Sequence, residues 1–465
     1  MPRYDAAVIG GGPEGLIAAI VLARAGLDVA VLERQSQAGG RAVTQEFHPG
    51  FRASPYADEL TAVSPRLYRA LDLARQGAVL VPAPSSVCLS EHGESVLFAD
   101  DERAARAVPA DARDGLIALR GEWTRLTAEI EARARRLAVR PRRFRVPLLS
   151  KSQLPEPWPG EAWGRETLEA ILTARLSSPA IILHLAANAL SGRAASPYLT
   201  GSALHLLSPG AGRSGTPPGG LGRLGAALVS LARKAGATVR CGAEVTGIAI
   251  RRGRAAGLTL ARGEDVEARA VLSTLDLRRT CADLLGSDAS PALRNAARFR
   301  IAGQTARVLF ALDRPPAFAF AREVPDAALG SIHVVASLKA MNETYDRWRA
   351  GALDGAAPVT LRVPSLADPR LAPVGKAVMT ATISGVPARL FDGTWTAEKR
   401  DKLRDTALVA AEGASPGISA RVVSARVIAG PDIEADLGVT AGDLDGGELA
   451  PDQVFPFDAA GEGNA

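Results

Sequence analysis

Along the first forty residues the hydrophobic positions change period twice. Ala6 to Ile9 is an unbroken apolar run, Leu16, Ala19, Ile20 and Leu22 recur at helical spacing up to Arg24, and Val29 to Leu32 is apolar throughout. Short continuous runs suit buried strands and the wider spacing suits a helix lying on a sheet, so the stretch predicts strand, helix, strand, with Gly26 stopping the helix. Residues from about Leu60 to Leu172 then read as helices broken by loops. The clearest pattern is Leu116 to Leu137, where Leu119, Trp123, Leu126, Ile130 and Leu137 share one helical face. Lys151 to Gly160, rich in Pro and polar residues, ends that layer. Leu168 to Leu207 is a second helical block, Ala- and Leu-rich, which suits either the lining of an apolar cavity or plain core.

A Gly/Pro/Ser-rich crossing, Ser208 to Gly222, separates this block from a return of the opening pattern. A helix over Leu221–Ala235 stops at Gly236, a strand follows at Thr238–Cys241, and an antiparallel ribbon turns at Arg252-Gly253 before a last strand at Ala270–Ser273. Ala302–Leu312, Ser331–Ser337, Ala357–Val363 and Ala377–Ser384 predict strands of a second sheet. Thr396–Glu412 predicts a helix stopped by Gly413, and Val422–Val427 one more strand.

Between the first strand and helix lies Gly10-Gly11-Gly12-Pro13-Glu14-Gly15, with glycines at the first, third and sixth positions. Gly10 permits a sharp turn, Gly12 leaves no side chain where a pyrophosphate approaches the backbone, and Gly15 lets the helix sit close to the strand. Free amides at the helix start face the anion. Glu33, at the tip of the second strand and 23 positions after Gly10, can accept hydrogen bonds from the adenosine ribose hydroxyls and would repel a 2′-phosphate, which disfavours NADP. Gly39-Gly40-Arg41 follows six to eight residues later. There the backbone can pass close to a nucleotide and the guanidinium can fork onto pyrophosphate oxygens, which points to FAD rather than NAD. A glycine-rich turn that binds nothing is the alternative reading.

Composition narrows the class. The chain of 465 residues, 47% hydrophobic and 23% charged, is long enough for two or three domain-sized cores. No apolar stretch reaches the ~18 residues of a membrane span, and the first strand leaves no room for a signal peptide, so a cytoplasmic location is expected. Cys88, Cys241 and Cys281 lie far apart with no metal spacing and are read as core thiols; the five histidines are scattered and no metal site is expected. No GxSxG, Walker loop or HExxH occurs. The net charge is +5, and seven arginines crowd Arg133 to Arg145 ahead of Val146-Pro-Leu-Leu149. That edge suits peripheral contact with anionic lipid, although a solvated helix end is the simpler reading. Nucleic-acid binding lacks any supporting module.

Several stretches together resemble the phytoene desaturase-like flavoproteins, a branch of the amine oxidase superfamily: Val8-Ile-Gly-Gly-Gly-Pro-Glu-Gly-Leu16, Val31-Leu-Glu-Arg34, Gly39-Gly-Arg41, Pro218-Gly-Gly-Leu-Gly-Arg-Leu-Gly225, Gly242-Ala-Glu-Val245 and Val271-Leu-Ser-Thr-Leu-Asp276. Asp368-Pro-Arg-Leu-Ala-Pro-Val-Gly375, Asp392-Gly-Thr-Trp395 and Gly447-Glu-Leu-Ala-Pro-Asp-Gln453 are most similar to the pyridine nucleotide-disulfide oxidoreductase domain-containing protein 2 group. Gln37 stands where the family motif carries its first Arg.

The resemblance implies an α/β fold of the glutathione reductase/amine oxidase type. A discontinuous Rossmann-like FAD-binding domain (1–60 and 218–290) would join an α+β substrate domain (61–217 and 291–445), followed by a shortened tail (446–465). It implies FAD as cofactor, an FAD-dependent dehydrogenase or desaturase taking a hydride from an apolar small-molecule substrate, and cofactor contacts at Gly10, Gly12, Pro13, Glu14, Gly15, Glu33, Arg34, Gly39, Gly40, Arg41 and Val245, with Val245 at the adenine. No catalytic acid or base is singled out.

In the family, a stretch like Asp452-Gln-Val-Phe455 leads into a glycine-rich strand and helix start at the flavin, and the sequence reaches Ala465 before such a segment. Weaker flavin binding, by about 0.3–2 kcal/mol from the helix dipole alone, and an exposed edge on the nucleotide sheet are expected. A catalytically silent binding or interaction protein, self-association, or a complementing chain are the accompanying alternatives.

Overall fold

In the computed structural model, which describes residues 3–99, 103, 108, 110–138, 161–207, 213–289, 298–450 and 453, the first strand is divided between two cores. Ala6 and Val8 pack with Leu16, Ile20, Leu224 and Leu228, on helices Pro13–Arg24 and Gly222–Lys234. Ala7 and Ile9 pack with Ile248, Leu258 and Val266 of the antiparallel ribbon. A strand covered on both faces has no polar side, which is why Ala6–Ile9 shows no alternation.

In chain order the strands are β1 (Arg3–Ile9), β2 (Val29–Leu32), β3 (Gln45–His48), β4 (Phe51–Ala53), β5 (Leu60–Val63), β6 (Ser85–Ser90), β7 (Gly93–Phe98), β8 (Arg213–Gly215), β9 (Thr238–Arg240), β10 (Val245–Arg251), β11 (Arg254–Leu260), β12 (Asp265–Ser273), β13 (Thr305–Leu312), β14 (Ser331–Val334), β15 (Val359–Arg362), β16 (Ala377–Ser384) and β17 (Val422–Ile428). The longer helices are α1 (Pro13–Arg24), α2 (Ala110–Ala138), α3 (Pro179–Leu190), α4 (Gly222–Lys234), α5 (Leu338–Arg349), α6 (Ala397–Ala414) and α7 (Gly430–Leu437).

The first sheet runs β10-β11-β12-β1-β2-β9, parallel from β12 to β9 and antiparallel through the ribbon. The ladder between β11 and β12 stops at Glu267, so among the described residues the outer side of Ala268–Ser273 carries no partner strand, and Leu272 is 40% exposed. The second sheet runs β17-β13-β16-β15-β14-β6-β7 and is antiparallel except where β14 lies beside β6. Every residue of β13 is buried: Ala306, Val308, Phe310 and Leu312 face α6, while Leu309 and Ala311 face Phe51, Tyr56 and Ile433. Fully burying a side chain of Phe or Leu size contributes about 1.5–3 kcal/mol, which makes β13 the spine of this layer. Among the described residues no helix is long and apolar enough to cross a membrane.

Several expectations need correction. The stretch expected to be helical from Leu60 contains β5, β6 and β7; β6 and β7 form a hairpin that turns at Gly93 (φ 86°) and joins the second sheet. Tyr68, Leu71, Leu73, Ala78 and Leu80 pack into the first core, so the chain from 64 to 80 goes with the nucleotide-type sheet rather than with the second layer. Helix α6 runs through Gly413 to Ala414, because that glycine lies inside a helix already held by Ala407, Ala410 and Ala411 in the core. Strand β14 ends at Val334, and Ser337 instead caps α5 by accepting the Ala340 amide at 3.2 Å. Helices α5 and α7 were not foreseen. The block Leu168–Leu207 packs as core, with Leu183, Ala186 and Leu190 against Leu116 and Leu172. Cys241 is exposed, unlike Cys88 and Cys281. The arginine-rich edge beyond Ala138 and the polar stretch at 151–160 lie outside the described residues.

Candidate dinucleotide cleft

The turn after β1 is built by exclusion. Gly10 has φ 98°, a region closed to most side chains, and a Cβ there would run into Thr274 Oγ1; a Cβ on Gly15 would run into the carbonyl oxygen of Gly10. At Gly12 the nearest atom to an added Cβ is Glu14 Oε2 at 3.5 Å, so that face of the turn is open. Helix α1 starts at Gly12 without a side-chain cap, whereas Thr396 caps α6 and Ser337 caps α5. The first-turn amides of α1 are thus available to an anion. Gly40 (φ 53°) brings the next loop back until its Cα lies against Gly12, and Gly39 donates its amide to the Gly11 carbonyl at 2.8 Å.

Glu33 is 8% exposed. Its Oε2 accepts the Gly11 amide at 2.7 Å and its Oε1 the Gln35 amide at 2.8 Å, so the carboxylate is locked between the glycine turn and its own strand end. Each oxygen keeps a lone pair for a ribose hydroxyl. The main chain of Glu33 also accepts the Ala243 amide at 2.8 Å, which carries the Gly242–Val245 segment to the same place.

These elements wall a cleft of about 910 Å³ at the strand tips of the first sheet. Of the eleven residues expected at the cofactor, nine line it: Gly10, Gly12, Pro13, Glu14, Glu33, Arg34, Gly40, Arg41 and Val245. Gly15 and Gly39 do not, because their work is to set the distances between turn, helix and loop. The opposite wall was not foreseen. It includes Thr274–Asp276, Arg279, Tyr56, and Asp436–Val439 and Asp443–Gly446 at and beyond the end of α7.

Arg34 donates to the carbonyls of Glu434 and Ala435, Gln35 to that of Asp436, and Arg41 to that of Leu444. Asp276 takes the amide and the hydroxyl of Thr440 at 2.8 and 3.0 Å. Residues 400 positions apart are thereby brought face to face. Tyr56 donates to Asp436 at 2.8 Å, and burial together with that carboxylate pushes its phenol pKa up. Arg41 also faces Glu14 at 3.5 Å, both side chains being largely exposed. A second recess of about 410 Å³, lined by Arg52, Arg223 and Arg370, shares Gln37, Val43 and Thr44 with the cleft.

A parallel sheet with a glycine turn and an acidic strand end, joined through a returning ribbon to an antiparallel sheet, is the architecture of the glutathione reductase/amine oxidase type. The model of the flavin containing amine oxidoreductase family matches residues 15–403, and the chain belongs to that family of oxidoreductases. It is similar to the mouse (Mus musculus) pyridine nucleotide-disulfide oxidoreductase domain-containing protein 2, 27% identical over 98% of this chain and 86% of that protein. Among solved structures it is similar to an oxidoreductase from Methanosarcina mazei, with a TM-score of 0.57, 17% identity and coverage of 91% and 87% of the two chains. It is also similar to cyclohexylamine oxidase from Brevibacterium oxydans IH-35A, with a TM-score of 0.56, 15% identity and coverage of 92% and 84%.

The residues present fit FAD. The open face at Gly12 and the uncapped start of α1 suit a pyrophosphate, Glu33 suits a ribose, and the cleft of about 910 Å³ leaves room for the group.

Proposed function

We propose that this protein is an FAD-dependent oxidoreductase of the dehydrogenase or desaturase type, acting on a carbon–hydrogen bond of an apolar small-molecule substrate. The observation that supports it most is the convergence of Gly12, Glu33, Arg41 and Val245 on one cleft large enough for a dinucleotide. When bound, the flavin supplies the acceptor for a hydride. The chain's own residues bind and orient: Glu33 holds the ribose, the first-turn amides of α1 and the remaining donors of Arg41 hold the pyrophosphate, and Val245 borders the adenine. Asp436–Val439 and Asp443–Gly446 line the cleft, held to the glycine-turn side by Arg34, Gln35 and Arg41. The phytoene desaturase-like motifs support the apolar substrate.

Purified protein is expected to be yellow, with flavin absorbance near one FAD per chain. Colourless protein that cannot be reconstituted with FAD would overturn the reading.

A second reading has one observation in its favour. Among the described residues the outer side of β12 over Ala268–Ser273 has no partner strand, and a strand from another chain could complete it. Co-expression with the coding segment immediately downstream, followed by affinity capture, tests this: a stable pair that binds flavin only together supports it, and full occupancy in the single chain removes it.

A further inference from the structure

The recess of about 410 Å³ beside the cleft gathers cations and, among the described residues, no acid. Arg52 reaches it from β4, Arg223 from the first turn of α4 and Arg370 from the short turn after Asp368, three segments far apart in the chain. All three side chains are exposed at its rim. Among the described residues neither Arg52 nor Arg223 has a hydrogen bond or an ion pair. Glu46, opposite Arg52 in the β3–β4 hairpin, lines the cleft and not the recess. A guanidinium carries five donors and no acceptor, so the three cannot satisfy one another.

Glycines set the walls. Gly219 has φ 95°, and a Cβ there would meet Arg223 Cγ at 2.9 Å, so the stem of Arg223 lies along its open face. A Cβ on Gly222 would run into the Thr44 amide nitrogen and one on Gly225 into the Ala42 carbonyl oxygen, so α4 starts directly against Ala42–Thr44. The amides of that start are spent. Gly222 donates to Thr44 Oγ1 at 2.9 Å and Leu221 to Ser54 Oγ at 3.1 Å, while Arg223 and Leu224 donate to the carbonyls of Gly220 and Leu221. An anion in the recess is therefore held by side chains.

Asp368, 9% exposed and outside the lining, accepts the Gly219 amide and takes Nε and Nη2 of Arg370 at 2.7 and 3.0 Å. This ties Arg370 to the glycine turn and leaves its Nη1 unengaged among the described residues. Three guanidiniums less the Asp368 carboxylate leave two positive charges at the recess. A phosphate monoester, at about −1.5 to −2 near neutrality, matches that charge; a carboxylate matches half of it.

We propose that this recess is a second ligand site, which takes the phosphate group of a small phosphorylated molecule on Arg52, Arg223 and Arg370. Forked guanidinium donors suit phosphate oxygens. The volume leaves room for the organic part of the ester. Gly12 and Arg41, assigned above to the pyrophosphate of the dinucleotide, do not border the recess, so the two anions have separate partners. Arg52 and Thr44 border both spaces, which sets the second ligand beside the first.

The test is calorimetric titration of phenyl phosphate into the full-length chain, with FAD added and without it, and of benzoate as the carboxylate of similar shape. Phenyl phosphate is expected to bind once per chain and about tenfold more tightly than benzoate. Arg223→Gln should weaken it about tenfold, the loss of one charge-assisted contact. Arg233→Gln removes the same charge from the far end of α4 and should change affinity less than about twofold, through screened long-range charge alone. In the wild type, phenyl phosphate should also slow phenylglyoxal labelling of Arg223 but not of Arg233, read by peptide mass spectrometry. Equal binding of benzoate overturns the phosphate assignment. Equal weakening in the two variants, or labelling of Arg223 unchanged by the ligand, overturns the site even if a variant fails to fold. Displacement of phenyl phosphate by FAD places it in the cleft and overturns the second site. A chain that binds phenyl phosphate at Arg223 but never FAD loses the cleft reading and keeps this one.

Discussion

Two buried polar regions of this molecule contrast in how they treat their hydrogen-bonding capacity. In the second layer, between α3 and the sheet, His184 and His333 lie with ring centroids 6.0 Å apart and every ring nitrogen is used. His184 meets Ser86 and Ser95, each at 2.9 Å, while His333 meets Asn188 at 2.9 Å and Thr360 at 3.0 Å. Thr360 in turn meets Ser191 at 2.8 Å. At the strand tips of the first sheet, by contrast, α1 starts uncapped, and Arg34 Nε and Asp443 Oδ2 are buried without partners. A saturated network fastens a helix to a sheet and has nothing left to offer a ligand. An unsaturated one costs stability in the empty protein and returns it on binding. Histidines and acids alone do not mark the functional region, and neither do unspent valences alone, since the Nε atoms of Arg113, Arg307 and Arg421 are buried without partners away from the cleft.

The strongest way to break that contrast is at the turn itself. Gly15→Ala drives a Cβ into the Gly10 carbonyl and is expected to cost about 3 kcal/mol, read by denaturant unfolding, and to abolish FAD binding. Unfolding within error of the wild type would show that the turn relaxes freely.

His184→Ala takes a partner from the Ser95 hydroxyl, leaves Ser86 with Asn188 alone, and opens a void. A stability loss of about 2–3 kcal/mol with unchanged FAD affinity is expected, since nothing in that network reaches the cleft. A matching fall in affinity would mean that the two regions are coupled.

Glu33→Ala removes a charged acceptor from two amides and from the ribose. Affinity for FAD should drop by about 1.5–3 kcal/mol, equivalent to one to two orders of magnitude in Kd, while Glu33→Gln recovers part of it. Unchanged affinity in both variants would remove the basis of the site.

The smallest effect per unit is a pH slope. Burial lowers the pKa of His333 and of His205 to about 3, and that of His184 well below its ordinary 6.5. Between those values the unfolded chain binds more protons than the folded one, so stability is full above about pH 6.5 and falls as pH drops toward 3. Each such histidine contributes about 1.4 kcal/mol per pH unit inside that window. His333→Asn should unfold with a shallower slope over this range in urea titrations, and an identical slope would show that His333 is not buried neutral. Asp443 acts in the opposite sense. Its raised pKa means a contribution that is complete below about 3.8 and lost as pH rises through about 6, so Asp443→Asn should stabilise the flavin-free chain near neutrality.

Much of the nucleotide side was legible in the residues. The period of the apolar runs marked β1, α1 and β2, and the spacing from Gly10 to Glu33 to Gly40 placed three parts of one wall, because all of that geometry is local: a strand, a turn that admits only glycine, and a helix of set length. The hairpin β6–β7 was missed because Ser85–Ser90 mixes polar and apolar residues and its burial comes from β14, some 240 positions later. Helix α5, with Met341 and Thr344 as its buried residues, offered too thin an apolar stripe to announce itself.

What local spacing could not supply was the opposite wall. Asp276, Tyr56 and Asp443 acquire meaning only when the chain after α7 returns to the glycine turn, and a side chain's burial and unmet hydrogen bonds depend on everything packed around it. The sequence by itself determined where a glycine turn leads into an uncapped helix start and that an acidic group stands beside it; only the tertiary structure decided which of many acids is buried, paired or left wanting, because desolvation belongs to the assembled surroundings and not to the residue.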